Sequence, residues 1–391
     1  MAMRIAMVGN GATVHAALRA GALAARGHAV RLVTLGSVVP SEGIEIRTRP
    51  VPRSLSEAIR AARSFLGDIQ GFAPDLLHVH YAGGRLGTLA SLSRIRPLAV
   101  TVMGGDVQPE QHLGGYPWLE RRATRRLLRE ADLLLVKSDA LRQDLARYGP
   151  FTARVETVPW GIDFARVRRD PEGARALRAR LRLSAEQRVV VSPRILRPLY
   201  NIHLIVEALP AIRAACGDVR LVVAEHRPDD SYRQRLVERV ASLGLDNSVL
   251  FIGALPYAEI PALMSLADVV VSVPLSDGLP QSLFEAMACG TPAVIGRLPA
   301  YNELVTDEMH ALVADLEPES IAAAVVRLIK DEPLQRRLTT AALARVHERA
   351  DIGVSARRVE KLYAEMLAEP RHPRRMLNVP RVLDALSLLA R

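Results

Sequence analysis

The sequence predicts an α/β protein: two Rossmann-like, doubly wound domains in tandem, facing each other across a cleft. Three observations lead there. At 391 residues the chain is long for one domain and sufficient for two full cores. With 49% hydrophobic and 24% charged residues it has the composition of a folded globular protein, which excludes wholesale disorder. Short β-branched runs alternate with helical stretches of about a dozen residues or more, and this alternation runs twice.

In the first half the expected strands are residues 4–8, 29–34, 76–80, 98–102, 132–136 and 155–158. The first reads as a strand and not as a signal peptide, because Arg4 interrupts its short apolar stretch. A helix is expected over 14–26, with Leu18, Ala22 and Ala25 on one face. Pro159-Trp160-Gly161 breaks the pattern, and the charged stretch around Arg166, Arg168, Arg169 and Asp170 reads as a linker. The alternation restarts with strands at 188–192, 219–224, 249–252, 268–273, 293–295 and 311–313, and helices finish the chain from about 318. The expected domains are therefore 1–165 and 166–370, and 371–391 is a tail with Val379, Leu383, Leu386 and Ala390 at helical spacing.

Composition removes several function classes. Two cysteines, Cys216 and Cys289, allow no disulfide framework, thiolate zinc cluster or iron–sulfur site. No apolar run reaches the roughly 20 residues that span a bilayer, and a reducing, cytoplasmic setting is the default expectation. The net charge is +10, and all but three of the 52 basic residues are arginine (the lysines are Lys137, Lys330 and Lys361). That skew fits the coding bias of a GC-rich genome, with an anionic membrane or nucleotide ligands as functional alternatives. Nucleic acid is not expected as a partner: aromatic residues make up 4% and no nucleic-acid module is legible.

The most informative stretch is Ser276-Asp277-Gly278-Leu279-Pro280-Gln281-Ser282-Leu283-Phe284-Glu285-Ala286-Met287-Ala288-Cys289-Gly290. It places an acid after a buried strand, then a Gly-x-Pro turn, then a helix carrying a second acid eight residues on. A helix start, with free N–H groups and a positive dipole end, suits a diphosphate or a polyhydroxy ring. Glu285 in an open cleft would accept the paired hydroxyls of a ribose. The plainer alternative is that Asp277 caps the helix and Glu285 is solvated.

This stretch resembles the acid-x7-acid motif of the family 4 retaining glycosyltransferases, two-domain enzymes of the glycosyltransferase B (GT-B) fold. Further blocks resemble that family in the same order: Arg26-Gly27-His28-Ala29-Val30, Pro74-Asp75-Leu76-Leu77-His78-Val79-His80, Val158-Pro159-Trp160-Gly161-Ile162-Asp163 and Leu250-Phe251-Ile252-Gly253. The resemblance implies transfer of a sugar from a nucleotide-sugar, expected to be a UDP-sugar, to a hydroxyl of a glycan or glycolipid with retention. It implies that Glu285 binds the donor ribose, and that Asp277 with Gly278, Leu279 and Pro280 faces the donor sugar. Ile252 and Gly253 would lie by the base, and Arg194 would hold the diphosphate as a clamp at a strand end. No cofactor is implied, and no metal: Asp-x-Asp spacing is absent from the chain. The departing phosphate oxygen would take the acceptor proton, with charge met by Arg194, helix-start amides and Arg197.

Three positions depart from the family pattern. Tyr200-Asn201 stands where Lys-Gly is usual, so that either Arg197 supplies the missing cation and Asn201 a hydrogen bond, or the diphosphate is held with one charge fewer. Trp160 replaces the interdomain asparagine, and Met103 replaces a histidine that contacts the donor sugar. Asp106, three residues beyond Met103, becomes the nearest polar group for either sugar and a candidate catalytic residue beside Arg194 and Asp277.

The candidate acceptor-side residues of the first domain are Gly9, Gly11, His80 and Asp106. Gly9-Asn10-Gly11 allows close approach of a ligand but lacks the third glycine of a dinucleotide fingerprint. His78 and His80 are expected on opposite faces of their strand, with His80 at its C-terminal end. His15 is expected to be solvated, His28 to close a turn, and Ser138 or Asp139 to cap a helix. Two basic amphipathic segments, 53–69 and the run Arg121, Arg122, Arg125, Arg126 and Arg129, suit an anionic leaflet or, equally, a core-facing helix with a solvated face. A peripheral position on the inner face of the cell membrane follows from the first option. The tail is expected to cross back onto the first domain. Two other function classes stay open: a nucleotide-sugar epimerase or hydrolase of the same fold, which needs acids such as Asp106 or Glu110 in the first half, and a non-catalytic nucleotide-sugar binder.

Overall fold

The computed structural model describes all residues except 1, 40, 109–117, 160, 226–227, 370–386, 388 and 390–391. The chain divides into two compact units, Met1–Pro159 with Ile352–Arg391, and Trp160–Asp351.

The first unit runs β1 (Arg4–Val8), α1 (Val14–Ala24), β2 (Ala29–Leu35), β3 (Glu45–Arg49), α2 (Leu55–Gln70), β4 (Leu76–His80), α3 (Gly84–Leu92), β5 (Leu98–Thr101), α4 (Trp118–Glu130), β6 (Leu133–Val136), α5 (Asp139–Ala146) and β7 (Arg154–Thr157). Its seven strands are all parallel, in the order β3-β2-β1-β4-β5-β6-β7. Side chains alternate between two cores, as both-face burial demands. Ala6, Val8, Leu77 and Val79 pack with Ala62 and Phe65 of α2 and Leu127 and Leu128 of α4, while Ile5, Met7 and Leu76 pack with Ala16, Ala20 and Leu23 of α1.

The second unit runs α6 (Pro171–Arg180), β8 (Arg188–Ser192), α7 (Ile202–Cys216), β9 (Val219–Val223), α8 (Asp230–Ser242), β10 (Val249–Phe251), α9 (Ile260–Leu266), β11 (Val269–Ser272), α10 (Gln281–Ala288), β12 (Ala293–Gly296), β13 (Leu312–Ala314), α11 (Pro318–Lys330) and α12 (Glu332–Arg349). Its six strands are parallel too, in the order β10-β9-β8-β11-β12-β13. Val190, Val269 and Val271 pack on Ile205 and Leu209 of α7 and Val325 and Leu328 of α11. Both units are thus doubly wound parallel sheets with helices on both faces.

A helix that follows the second unit in the chain, α13 (Ile352–Ala368), places Val359, Leu362, Tyr363 and Met366 in the core of the first unit beside Met3 and Ile5. The division therefore falls at 159/160, not 165/166. The return begins at Ile352, not at 371, because this apolar face finds its partner in α1. The tail 371–391 lies outside the described residues except for 387 and 389, and Leu389 is fully buried in the first unit's core.

Two local expectations are corrected. β3 was missed: Glu45-Ile46-Arg47-Thr48-Arg49 is an edge strand, paired only with β2, and its charges read as a loop until the alternation is noticed. In α1 the buried face is Ala16, Ala20 and Leu23, not Leu18, Ala22 and Ala25, since an alanine-rich helix leaves its apolar stripe ambiguous. On α2 the core takes Ala58, Ala62, Phe65 and Ile69 and leaves Leu55 exposed. No described helix is long and apolar enough to cross a membrane.

Candidate functional site

In the second unit the direction of winding reverses between β8 and β11, which lie side by side, and ligands of open α/β sheets bind beyond the strand C-termini at such a point. Arg194 lies two residues past β8, and residues 273–280 form the loop past β11. The Arg194 guanidinium donates to Asp277 Oδ2 at 2.6 Å and to Ser282 Oγ at 3.3 Å, and it lies 4.3 Å from the centre of the Tyr200 ring. The Tyr301 hydroxyl donates to the same Asp277 oxygen at 3.2 Å. Arg194 is only 8% exposed. Burial alone would lower its pKa, but the Asp277 carboxylate outweighs burial and holds the guanidinium firmly charged. Asp277 does not cap the next helix: the N-cap of α10 is Pro280, which has no side-chain hydrogen bond to offer.

Glu285 is 5% exposed, one turn from the end of α10. Burial pushes its pKa up to about 7, against the pull of Tyr257, Gln281 and, at longer range, Arg194. Burial also pushes the Tyr257 hydroxyl up, and Glu285 adds to that. The Tyr257 hydroxyl and both polar atoms of the Gln281 amide are buried and make no hydrogen bond of normal distance and angle. Glu285 and Arg194 were expected in an open cleft. They are instead buried, and Gly278, Leu279 and Pro280 are buried as well.

The remaining donor-side candidates separate. Asn201 donates one amide N–H to the carbonyl of Val273 at 3.0 Å and adopts a left-handed φ of 49°, so its side chain ties the β8 loop to the β11 loop. Arg197 is exposed and its guanidinium makes no hydrogen bond or ion pair among the described residues. Ile252 and Gly253 continue β10. The Gly253 carbonyl accepts from the Glu225 N–H at 2.9 Å, and φ of +69° explains the glycine.

In the first unit the switch point lies between β1 and β4. Gly9 is a packing glycine: a Cβ there would come within 2.7 Å of Ala16 Cβ and 3.1 Å of His80 Cβ. At Gly11 a Cβ would meet Thr34 at 2.8 Å, and the Gly11 N–H donates to Thr34 Oγ1 at 2.9 Å. Both glycines therefore answer to contacts within the fold. His80 is buried, and burial together with the cations Arg19, His15 and Lys137 holds its pKa well below the usual value. His78 and His80 share a face, with ring centres 6.0 Å apart, because residues two apart on a strand point the same way. His78 bonds Thr101 Oγ1 at 2.7 Å and Tyr363 Oη at 2.6 Å, and burial lowers its pKa to about 3. Asp106 is corrected as well. It is fully buried, accepting from the N–H groups of Ala82, Met103 and Gly104 at 2.8–3.0 Å, so both of its oxygens hold backbone and not substrate. Glu110 and Trp160 lie outside the described residues. His28 does close its turn, accepting from the Met3 N–H, and Ser138 caps α5.

Three side chains of the site were missed in the sequence, Tyr257, Gln281 and Tyr301, whereas Tyr200 was singled out only as the replacement of a lysine. Gln281 had a signal, since it stands four residues before Glu285 on one helix face. Tyr257 and Tyr301 had none, because they arrive from two separate loops. Among the described residues no group of three or more His, Cys, Asp or Glu side chains could hold a metal ion.

Residues 9–166 match the profile of Glycosyltransferase Family 4, and residues 174–345 that of Glycosyl transferases group 1. The chain is a GT-B-fold protein related to these glycosyltransferases. It is similar to the GDP-mannose-dependent α-(1-6)-phosphatidylinositol monomannoside mannosyltransferase of Mycolicibacterium smegmatis (29% identity, 63% of this chain and 66% of that one). It is similar also to the D-inositol 3-phosphate glycosyltransferase of Salinispora arenicola (31%, 75% and 66%). The matched region thus spans just under two thirds of each of these relatives. Among solved GT-B structures, Anabaena HepE in complex with UDP and glucose superposes with a TM-score of 0.77 at 20% identity, covering 93% of this chain and 99% of that one. Sucrose-phosphate synthase from Thermosynechococcus elongatus also gives 0.77, at 18% identity over 94% and 99%.

Proposed function

We propose that this chain transfers a sugar from a nucleotide-sugar to a hydroxyl of a glycan or glycolipid, with retention at the anomeric carbon. The observation that carries the reading is the convergence of Arg194, from the loop after β8, with Asp277 and Glu285, from the β11–α10 unit, at the switch point of the second unit's sheet. Arg194 has five N–H donors. Two are engaged by Asp277 and Ser282, and the others face the diphosphate, where negative charge grows as the glycosidic bond breaks. Glu285, ionised, accepts two ribose hydroxyls, and Asp277 stands beside the sugar. The diphosphate leaves with the bonding electrons of the anomeric carbon, and its oxygen takes the acceptor's proton, so that no separate base is required. The charge is met by Arg194 and the first amides of α10, without a metal. A UDP-sugar is the first donor to test, in line with the UDP-bound relative, and GDP-mannose the second, in line with the mannosyltransferase.

The acceptor is proposed to be held at a membrane surface in the cytoplasm. α4 turns Leu119, Ala123, Leu127 and Leu128 inward, and it leaves Trp118 68% exposed beside Arg121, Arg122, Arg125 and Arg129. The epimerase reading loses Asp106 as its acid, since that carboxylate is committed to backbone, and keeps only Glu110, which lies outside the described residues.

Incubation with a panel of UDP- and GDP-sugars, without and then with hydroxyl acceptors, tests the proposal. The expected result is slow release of nucleoside diphosphate alone, and faster release with acceptor, giving a product of unchanged anomeric configuration by NMR. An isomerised donor, an inverted product, or binding with no turnover under any acceptor would overturn it.

A further inference from the structure

The pair Tyr200-Asn201 departs from the family pattern, and its surroundings give the departure a physical reason. Tyr200 closes the 3-10 turn Pro198–Tyr200, six residues past Arg194. Both of its neighbours are tied to the loop that carries Asp277. The Leu199 carbonyl accepts from the Leu275 N–H at 2.9 Å, and the Asn201 amide donates to the Val273 carbonyl at 3.0 Å. Asn201 also adopts the left-handed φ of 49° that residues other than Gly, Asn and Asp rarely take. Fixed on both sides, the Tyr200 ring lies with its face over the Arg194 guanidinium, 4.3 Å from ring centre to Cζ.

The edge of the guanidinium is held as well as its face. One terminal nitrogen donates to Asp277 and the other to Ser282 of α10. Asp277 is braced in turn by Tyr301, from the 3-10 turn Pro299–Glu303 past β12, whose hydroxyl donates to the same carboxylate oxygen. Tyr301 is buried, and burial together with the Asp277 charge keeps that hydroxyl protonated and therefore a donor. Loops past three adjacent strands, β8, β11 and β12, thus meet on one cation. A plane held over one face and at two edge nitrogens has little rotation left, so its remaining N–H donors point in fixed directions.

We propose that Tyr200 and Tyr301 are positioning residues: they frame the Arg194 guanidinium in one orientation before a diphosphate arrives, and position 200 thereby contributes a fixed aromatic face in place of a second cation. A fork oriented in advance binds an anion without first losing rotamer freedom, and it stabilises growing charge without reorganising. Both tyrosines act through Arg194, Tyr200 directly and Tyr301 by way of Asp277. The inference rests on the donor reading above and adds to it how the clamp is held.

Calorimetric titration of the full chain with UDP and GDP, and with UMP and GMP, tests the frame in wild type, Tyr301→Phe, Tyr200→Leu and Tyr200→Phe. Tyr301→Phe keeps the ring and removes the donor. Tyr200→Leu keeps apolar packing against the core and removes the face. Thermal unfolding checks that each variant is folded, and the half-buried Tyr200 carries the test should Tyr301→Phe prove unstable. Tyr301→Phe and Tyr200→Leu should each weaken diphosphate binding about five- to tenfold and monophosphate binding by less, so that the preference for the diphosphate falls. Tyr200→Phe, which keeps the face, should recover most of what Tyr200→Leu loses. A merely structural role would lower the unfolding midpoint and leave the diphosphate preference of the folded protein unchanged. That result, or a Tyr200→Phe as weak as Tyr200→Leu, would overturn the frame and leave the donor reading standing. Failure of every nucleotide to bind wild type would overturn both.

Discussion

At the scale of single residues, the two acids of the site are held in opposite ways. Asp277 is neutralised by a guanidinium and braced by a tyrosine hydroxyl, while Glu285 is buried among uncharged groups. Removing one half of a buried ion pair leaves the other half stranded, which costs more than removing both. Arg194→Ala should therefore destabilise the chain by about 3–5 kcal/mol, and the double variant Arg194→Ala/Asp277→Ala by clearly less than the sum of its singles. Urea unfolding of the four proteins measures this, and strict additivity would mean that the pair does not interact. Glu285 gives a pH signature of known sign. Its folded pKa of about 7 lies above the ordinary 4.5, so the unfolded chain ionises first and stability falls as pH rises between these values. Glu285→Gln should thus be more stable than wild type at pH 8, by on the order of 2–3 kcal/mol, and about equal to it below pH 5. Equal stability at both pH values would show that the carboxyl ionises freely.

At the scale of elements, the strands and the α10 motif were legible because buried parallel strands are continuous Val, Leu and Ile runs and because the acid spacing sits on one strand–turn–helix unit. What escaped was whatever depends on another segment. β3 is defined by pairing with β2, the tyrosines of the site arrive on separate loops, and Asp106 looked free until its loop folded around it. Asp106 now predicts a structural phenotype. Asp106→Ala orphans three backbone N–H groups and should lower the unfolding midpoint markedly, whereas turnover per folded molecule should stay within a few-fold of wild type. Loss of turnover at full stability would return it to the chemistry. On α4, Arg125 bonds the Tyr148 carbonyl and belongs to the fold, so the membrane proposal is tested on Arg121, Arg122 and Arg129. Their replacement by Gln should weaken binding to anionic vesicles, and salt should weaken wild-type binding. Equal binding of wild type to neutral and anionic vesicles would leave coding bias as the source of the arginines.

At the scale of the whole molecule, the sequence announced two doubly wound units but misplaced their boundary. A helix that is C-terminal in sequence belongs to the first unit, through Val359, Leu362 and Tyr363. Periodicity tells that such a helix has an apolar face; it does not tell which sheet that face will cover. The second unit is where the candidate site is most complete, and the account stands on its holding a nucleotide diphosphate between Arg194 and Glu285. Isothermal titration of UDP and of GDP into wild type, Arg194→Lys and Glu285→Gln at pH 8 tests this most directly. One of the two nucleotides should bind wild type with 1:1 stoichiometry. Glu285→Gln should weaken it about tenfold, and Arg194→Lys should weaken it at least as much, since lysine cannot reproduce the fork that reaches Asp277 and phosphate together. Binding of equal strength to all three proteins, or no binding to wild type, would contradict the account.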